Sequence, residues 1–205
     1  QFHLRDLSCA TNDVSGPFFD ATTGLHHIMY DDHIYGGGEK KAVCPGWGHA
    51  TSTDLVRFTL QQPAIMNSSH PYDHTGIITG STTIVDGVPT IVYPGVGAGG
   101  VLSFDIATPA NASDRNITQW VRAGYNPVVN GTQRDPSRAW RTPHGEWRFT
   151  MYTGDVYAST DFKNWSVAGK GTFRQAECPS FFPLPATVEG VAVPAGGPTH
   201  VHKAS

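Results

Sequence analysis

The segment Ala50–Phe58 reads ATSTDLVRF, and Ala158–Trp165 reads ASTDFKNW about a hundred residues later. Both follow one pattern: Ala, an optional residue, Ser-Thr-Asp, an apolar residue, two variable residues and an aromatic. The aspartate can cap such a turn, and the aromatic ring can pack between neighbouring sheets. Recurrence at this distance is typical of radially repeated four-stranded sheets, the blades of a β-propeller, although chance similarity of two turns is the alternative.

Strand-like runs recur along the rest of the chain, separated by Gly, Asp, Asn and Pro. Asp86-Gly87 between two apolar runs predicts a tight hairpin, and Thr153-Gly154-Asp155 predicts a second one. Convincing amphipathic helices are missing from the pattern, which therefore predicts an all-β protein: a sandwich, a barrel or a propeller. The predicted strands are Leu25–Tyr30, Gly76–Val85, Pro89–Tyr93, Val101–Phe104, Trp147–Thr153, Val156–Ser159 and His200–Lys203.

The bulk composition excludes several classes of protein. The 205 residues suffice for one domain with a buried core, and 23 Gly and 15 Pro suit many tight turns. The net charge is −3 and no run of Lys or Arg stands out, so no nucleic acid is expected as a partner. A stretch of about 18 apolar residues is missing, so no contact with a membrane is expected.

Cysteines and glycosylation sequons bear on the compartment. Cys9, Cys44 and Cys178 are too few for a disulfide scaffold, no CxxC pair suggests zinc, and pairing of Cys9 with Cys44 stays open. N-x-S/T sequons are more frequent than chance would give, which predicts a secreted glycoprotein of the cell wall or vacuole. Ordinary Ser/Thr-rich turns are the alternative reading. The sequon asparagines are Asn67, Asn111, Asn116, Asn130 and Asn164.

Three short runs carry acids in unusual settings. Asp13 lies in the run NDVSGPF, which is interpreted as a turn that follows a strand. The backbone N–H groups of this turn would keep the Asp13 carboxylate charged. Asp135 lies in the run RDP, beside a cation. Glu177 begins the run ECPSFF, a context that predicts partial burial and a raised carboxyl pKa. Alone, each acid has an ordinary explanation as a turn residue or a solvated group.

In order and context, these runs resemble glycoside hydrolase family 32, the family of invertases, fructan hydrolases and related fructosyltransferases. The family's opening motif W-M-N-D-P-N-G resembles the run around Asn12-Asp13, and its W-G-H-A-x-S-x-D-L element resembles Trp47–Leu55. The resemblance covers essentially the whole chain. Further blocks that resemble family motifs in the same order are Tyr72–Thr83 (Y-D-x-x-G-x-x-S-G-S-A-T), Asn126–Pro136, Glu177–Pro179 and His200–Ser205 (H-V-L-K-A-S).

The resemblance implies a five-bladed β-propeller with an active-site funnel on its axis. Residues 1–205 would form the N-terminal portion of this catalytic domain, about its first three blades, each giving one acid, and further blades or a partner chain would complete the ring. In family terms Asp13 is the nucleophile, Glu177 the general acid/base and Asp135 a transition-state stabiliser. A retaining glycosidase needs two such carboxyl groups about 5 Å apart. The implied substrate is sucrose or a fructan oligosaccharide, with no cofactor.

The fructose pocket departs from the family pattern. Ala10-Thr11 replaces Trp-Met and Val14-Ser15 replaces Pro-Asn in the opening motif, while Asp31 falls where the family has a sugar-binding Gln. A fourth carboxylate near Asp13 is expected to raise the pKa of one of the two by like-charge repulsion. The residues expected to bind substrate are Asn12, Asp31, Ile78 (for an aromatic), Thr79 (for Ser) and Arg134, which would also orient Asp135.

Three functions remain open at this point. The favoured one is a retaining β-fructofuranosidase that acts through a fructosyl-enzyme intermediate. The alternatives are a fructosyltransferase, in which a sugar hydroxyl replaces water as acceptor, and a catalytically impaired relative that binds fructans. An open ring exposes edge strands, so the isolated chain is expected to be poorly stable and to show little turnover.

Two other patterns, typical of a metal site and of a phosphate-binding loop, are set aside. His70 and His74 have four-residue spacing, but Pro71 argues against the helix that would align them, so no metal site is predicted. The glycine-rich stretch Gly95–Gly100 lacks the Lys-Ser/Thr of a phosphate-binding loop and is interpreted as a loop between strands.

Overall fold

The computed structural model describes residues 4, 11–32, 46–171, 175–184, 187–188, 191–192, 197 and 199–205. Within these ranges the chain is built from strands, and the helical segment is one 3-10 turn, Ala98–Gly100. The described residues contain no helix of the length and apolarity needed to cross a membrane. The predictions that concern Ala10 and the pairing of Cys9 with Cys44 fall outside the described residues.

The strands form three consecutive antiparallel sheets followed by two short strand pairs. The first sheet contains β1 (Thr11–Asp20), β2 (Leu25–Asp32), β3 (Gly46–Ser52), β4 (Thr59–Leu60) and β5 (Ile65–Met66). The second contains β6 (Gly76–Ile77), β7 (Ser81–Val85), β8 (Val88–Val96), β9 (Leu102–Pro109), β10 (Trp120–Arg122) and β11 (Val129–Asn130). The third contains β12 (Trp140–Arg141), β13 (Trp147–Thr150), β14 (Asp155–Ser159) and β15 (Ser166–Lys170). The pairs are β16 (Ser180–Pro183) with β19 (His200–Lys203), and β17 (Thr187–Val188) with β18 (Val191–Ala192).

The connectivity is that of propeller blades. The spatial order is β1-β2-β3-β4 in the first sheet and β12-β13-β14-β15 in the third, so each strand lies beside its neighbour in sequence. The second sheet runs β10-β9-β8, with β6 and β7 both paired to β8. This up-and-down order confirms the predicted all-β fold. The described part holds three blades and, in the β16–β19 pair, strands beyond them.

The recurring turn has the same structure in both copies. In each, the aspartate Oδ1 (Asp54 or Asp161) accepts hydrogen bonds of 2.7 to 2.9 Å from the backbone N–H groups two and three positions later. A serine hydroxyl (Ser52 or Ser159) lies 3.0 to 3.2 Å from the same oxygen. Each copy joins the third strand of its sheet to the fourth, so the predicted repeat is confirmed.

Both hairpin predictions are confirmed, and one predicted strand is divided. The turn that contains Gly154, with φ 75°, joins the antiparallel strands β13 and β14. Asp86 and Gly87 have φ values of 47° and 85°, the positive pair that a type I′ hairpin between β7 and β8 requires. The predicted strand Gly76–Val85 is interrupted at residues 78–80. There a Cβ on Gly80 would lie 2.3 Å from the Val92 carbonyl oxygen, so the backbone approaches β8 too closely for an ordinary residue.

The predicted turn around Asp13 is wrong, because this segment lies inside β1. The residues that suggested a turn fall at register shifts between Thr11 and Val14 and between Ser15 and Phe18 in the pairing with β2. Such β-bulges admit turn-forming residues without ending the strand. Gly16 has φ 55°, and a Cβ there would lie 2.4 Å from the Thr82 hydroxyl of β7, so β1 and β7 are in close contact.

Two apolar clusters cover the two faces of the second sheet. Because side chains alternate along a strand, Ile91 and Tyr93 of β8 join the cluster shared with the first sheet, whereas Val92 joins the one shared with the third. The first cluster contains Phe18, Met29, Trp47, Ala64, Ile65, Ile77, Ile91, Tyr93, Ala107 and Ile117. The second contains Val92, Phe104, Ile106, Ala139, Trp147, Phe149, Met151, Tyr157, Phe162 and Trp165.

We expect Phe104→Ala to destabilise the protein more than any surface change. Phe104 is fully buried and makes edge contacts with Phe149 and Tyr157 at ring distances of 5.2 and 5.6 Å. Truncation should lower the free energy of unfolding by about 3–5 kcal/mol, seen as a lower urea midpoint. The matched control is Val56→Ala, at a side chain that is 69% exposed. Equal midpoints for the two variants would contradict this account of the core.

Candidate active site

The three predicted acids come from distant segments and meet around Cys178. Asp13 lies on β1, Asp135 in the segment that leads into the third sheet, and Glu177 next to Cys178. The Cys178 Sγ lies 3.8 Å from Asp13 Oδ2, and the Cys178 backbone N–H donates to Asp135 Oδ2 at 3.2 Å. Burial raises the pKa of the Cys178 thiol to about 12, so the thiol keeps its proton and can donate it to Asp13.

Arg134 connects two of the acids. Its guanidinium forms an ion pair with Glu177 Oε1, and its Nη1 lies 3.7 Å from Asp135 Oδ2. The same group stacks over the Tyr152 ring, 4.6 Å from the centroid. A planar guanidinium can serve two carboxylates and an aromatic face at once, which fixes its orientation.

Asp135 is the buried acid among the three, with 2% of its surface exposed. Burial raises the pKa of its carboxyl, against the hydrogen bond from the Cys178 backbone and the charge of Arg134, which lower it. Its Oδ1 is buried and has no hydrogen-bond partner among the described residues. Asp135 therefore offers an acceptor atom that the surrounding described residues leave unused.

Glu177 is more exposed than we predicted from the residues next to it in the sequence. Its side chain is 56% exposed, so the expectation of partial burial is wrong. The reason is that the following Phe181 packs on Trp140, at a ring distance of 4.3 Å, and not on Glu177. The Glu177 backbone is paired in both directions with Ser205, at 2.9 and 3.1 Å, so Glu177 lies in the segment leading into β16 rather than within the third blade, where it was expected.

Asp31 is in contact with the nucleophile candidate through a hydroxyl group. The Thr79 Oγ1 lies 2.9 Å from Asp13 Oδ2 and 2.8 Å from Asp31 Oδ2, and the Ser15 hydroxyl donates to Asp31 Oδ1 at 2.7 Å. Among the described residues, the contacts of the Asp13 carboxylate are with a hydroxyl and a thiol, and none is with the turn N–H groups expected from the sequence. Burial is the largest cause that raises the pKa of Asp31 to about 7, and repulsion from Asp13 and Asp135 adds less.

A family assignment follows from comparison with known proteins. Residues 3–204 match the model of the Glycosyl hydrolases family 32 N-terminal domain. The chain belongs to this family. It is 35% identical to Beta-fructofuranosidase, insoluble isoenzyme CWINV3, of Arabidopsis thaliana, over 100% of the chain and 38% of that protein. It is 32% identical to Fructan 6-exohydrolase of Beta vulgaris, over 89% of the chain and 33% of that protein.

Solved structures support the same assignment. Fructan 1-exohydrolase IIa from Cichorium intybus superposes with a TM-score of 0.81 at 30% identity, over 99% of this chain and 41% of that one. The complex of a variant of that enzyme with 1-kestose superposes with a TM-score of 0.82. The family 32 chain therefore spans well under half the length of these relatives.

A cavity of about 380 Å³ lies beside the acids of this family 32 chain. Asp135, Thr79 and Cys178 contribute to its wall, whereas Asp13 and Glu177 do not. Asn12 is exposed next to Asp13, and Ile78 is half-buried with its carbonyl accepting the Trp47 indole N–H at 3.3 Å. Other residues of the cavity wall are Val14, Gly16, Pro17, Gly80, Ser81, Thr82, Pro136, Ser137, Arg138, Pro179, Ser180, Phe181, Phe182 and Lys203.

The sequence predictions missed three residues of the site. Ser15, Cys178 and Tyr152 contact Asp31, Asp13 and Arg134, respectively. Period-two alternation from Asp13 could have indicated Ser15, but only if the segment had been recognised as a strand. Asp31 was expected to contact the sugar, and the structure shows that both its oxygens already contact hydroxyl groups of the protein, those of Ser15 and Thr79.

The histidines considered for metal binding are engaged in other contacts. His70 stacks on Tyr72 at a ring distance of 5.1 Å. Asp73, which lies between the two histidines in sequence, is fully buried and paired with Arg122 Nε at 2.7 Å. The described residues contain no group of three or more His, Cys, Asp or Glu arranged to hold a metal ion.

Asp31 predicts a pH-dependent difference in stability. Its folded-state pKa of about 7 exceeds the ordinary value of 3.8, so the folded protein keeps a proton that the unfolded chain loses. The Asp31 contribution is therefore complete below about pH 4 and is lost as the pH rises to about 7. His27 and His49 act in the opposite sense, because burial lowers their pKa values to about 4 and about 3.

The variant Asp31→Asn separates the pH dependence of stability that Asp31 causes from the one that the histidines cause. Relative to the parent, its free energy of unfolding should increase with pH between about 4 and 7, by at most about 4 kcal/mol. Urea unfolding at several pH values measures this difference. Asp86→Asn is the control, because that side chain is 83% exposed and its substitution should give a constant difference. A constant difference for Asp31→Asn would show that Asp31 is ionised in the folded protein.

Proposed function

We propose that the protein is a retaining β-fructofuranosidase, which releases fructose from sucrose or from the end of a fructan chain. The observation that carries the proposal is that Cys178 contacts both Asp13 and Asp135, while Arg134 contacts both Asp135 and Glu177. Family membership and the names of the relatives support it, since those relatives are β-fructofuranosidases and fructan exohydrolases. The adjacent cavity of about 380 Å³ is within the range of roughly 300–1,000 Å³ typical of small-ligand sites.

The reaction needs a nucleophile and an acid that becomes a base. A carboxylate oxygen of Asp13 forms a bond to the anomeric carbon of fructose, while the glycosidic bond breaks and Glu177 gives its proton to the leaving oxygen. Glu177 then takes a proton from water, whose oxygen displaces Asp13 and restores both carboxyl groups. Glu177 suits this double role because more than half of its side chain is exposed to incoming water.

Asp135 and Arg134 serve the transition state. The buried Asp135 Oδ1 is free among the described contacts, so it can accept a hydrogen bond from a fructose hydroxyl. Such a bond strengthens as positive charge develops on the sugar ring, which favours the transition state over the bound substrate. Arg134 keeps Asp135 and Glu177 in a fixed relation through its two contacts.

The activity assay distinguishes the three candidate functions. The complete gene product is incubated with sucrose, inulin and levan, and the products are separated by chromatography. Free fructose as the main product is expected of a hydrolase, and oligosaccharides longer than the substrate would replace our proposal by a transferase. Measurable fructan binding without any released sugar would replace it by a binding protein.

Asp13→Asn tests the nucleophile. The amide keeps the size of the side chain but cannot form the fructosyl ester, so kcat should fall by roughly 10⁴-fold or more, with binding retained. Asp20→Asn, at the opposite end of the same strand, should leave kcat unchanged. Turnover and binding are measured separately, by fructose release and by calorimetry. Full activity of Asp13→Asn would remove Asp13 from this role.

We further propose that the protein passes through the secretory pathway and carries N-linked glycans. Support comes from the exposure of Asn111 and Asn130, which leaves these sequons accessible. Asn67 and Asn164 are less available, because their Nδ2 atoms donate to the His74 carbonyl oxygen at 2.9 Å and to Asp161 Oδ2 at 2.7 Å, respectively. Endoglycosidase treatment of protein from its native source should increase electrophoretic mobility. Unchanged mobility would contradict the proposal.

A further inference from the structure

Two carboxyl groups share one hydroxyl proton at the site. The Thr79 Oγ1 lies within hydrogen-bond distance of both Asp13 Oδ2, at 2.9 Å, and Asp31 Oδ2, at 2.8 Å. A hydroxyl has one hydrogen and can donate to one of these oxygens. The other short contact is favourable only if the hydrogen between the two oxygens belongs to the carboxyl group. One of the two acids must therefore be protonated when both contacts are made.

Burial identifies Asp31 as the protonated acid. It is 1% exposed, whereas Asp13 is partly exposed. The charges that act on it come from Asp13 on β1 and from Asp135, both of which are acidic and disfavour a further negative charge. Its neighbour on β3 is Trp47, which carries no charge.

We propose that Asp31 is a positioning residue that acts as a neutral acid and holds Asp13 through Thr79. The chain of donors runs from the Asp31 carboxyl hydrogen to Thr79 Oγ1, and from the Thr79 hydroxyl hydrogen to Asp13 Oδ2. The Ser15 hydroxyl fixes the other Asp31 oxygen and so leaves Oδ2 to carry the proton. This inference rests on the proposed role of Asp13 as nucleophile.

The chain also selects the attacking oxygen. Both contacts that the described residues make with the Asp13 carboxylate, from Thr79 and from the Cys178 thiol, are to Oδ2. Oδ1 is therefore the oxygen that forms the bond to the sugar. A nucleophile held in this way loses little orientational freedom on reaching the transition state.

Ionisation of Asp31 would break the arrangement. Without the carboxyl hydrogen, Thr79 can satisfy only one carboxylate, and the other is left facing an oxygen lone pair. The Asp31 pKa of about 7 puts this loss at the upper edge of the acidic range. At pH 5 the donor chain from Asp31 through Thr79 to Asp13 is therefore intact in all molecules, and the fraction of molecules that contain it declines as the pH passes 7.

The decisive measurement is the pH profile of kcat in the complete gene product. Asp31→Asn supplies a permanent donor of nearly the same shape, so kcat at pH 5 should stay within about threefold of the parent. In that variant the fall of kcat near pH 7 should move to higher pH. Asp31→Ala and Thr79→Val break the chain, so each should lower kcat about tenfold or more with little change in KM. Thr79→Ser restores the hydroxyl and should recover most of the loss.

Two kinetic results would overturn the inference. One is an Asp31→Asn variant as impaired as Asp31→Ala, and the other is an unchanged pH profile in Asp31→Asn. Asp86→Asn, an exposed acid outside the site, is the control for general effects of charge removal. Circular dichroism of each variant separates failure to fold from loss of positioning.

A second measurement does not depend on activity. Carbon-13 NMR of the labelled carboxyl groups should show Asp31 protonated at pH 5 and titrating near pH 7 in the parent. An ionised Asp31 at pH 5 would refute the proposed donor chain even if fructose is released. Conversely, a protonated Asp31 in a protein that releases no fructose would refute the proposed function and leave the donor chain in place.

Discussion

The close contact between β1 and β7 is the constraint on which the site depends. Gly16 permits it, because a Cβ at this position would meet the Thr82 hydroxyl at 2.4 Å. The contact joins the first two sheets at their facing strands and brings Thr79, just before β7, within hydrogen-bond distance of Asp13 on β1. A longer separation would leave Asp13 without its hydroxyl partner. The apolar clusters on both faces of the second sheet then hold this geometry in place.

Much of the fold could be predicted from local patterns, because those patterns act over a few residues. The repeated turn is an example: the Ser and Asp side chains bind backbone groups two or three positions away, so the sequence alone determines the turn. The Asp86-Gly87 hairpin is another, since two residues with positive φ suffice. The prediction of a turn around Asp13 failed because the structure of this segment does not depend on local patterns alone. Turn-forming residues also occur at β-bulges, and the pairing with β2 that distinguishes the two cases is not local.

The same difference between local and non-local effects explains how much of the site could be predicted. The motifs indicated which acids to consider, and the structure brings Asp13, Asp135 and Glu177 towards Cys178. Burial could not be predicted from sequence neighbours, as the opposite outcomes for Glu177 and Asp31 show. Phe181 follows Glu177 in sequence but packs on Trp140. Asp31, in contrast, lies on β2, which is flanked by β1 and β3 in the first sheet. Exposure depends on which strands meet, and that is a property of the whole fold.

The departures from the family pattern are physically connected. Ser15 stands where the family motif has Asn, Asp31 where it has Gln, and Thr79 where it has Ser. These three side chains bind one another, with Ser15 and Thr79 each in contact with one oxygen of Asp31. Random decay would leave unmatched polar groups at such buried positions, and each would cost about 1–3 kcal/mol. A protonated carboxyl presents a donor on one atom and an acceptor on the other, as a side-chain amide does, so Asp31 can occupy an amide position when its partners are hydroxyl groups. The three departures therefore form one consistent hydrogen-bonded arrangement, which supports the proposal of a working site over a degenerate one.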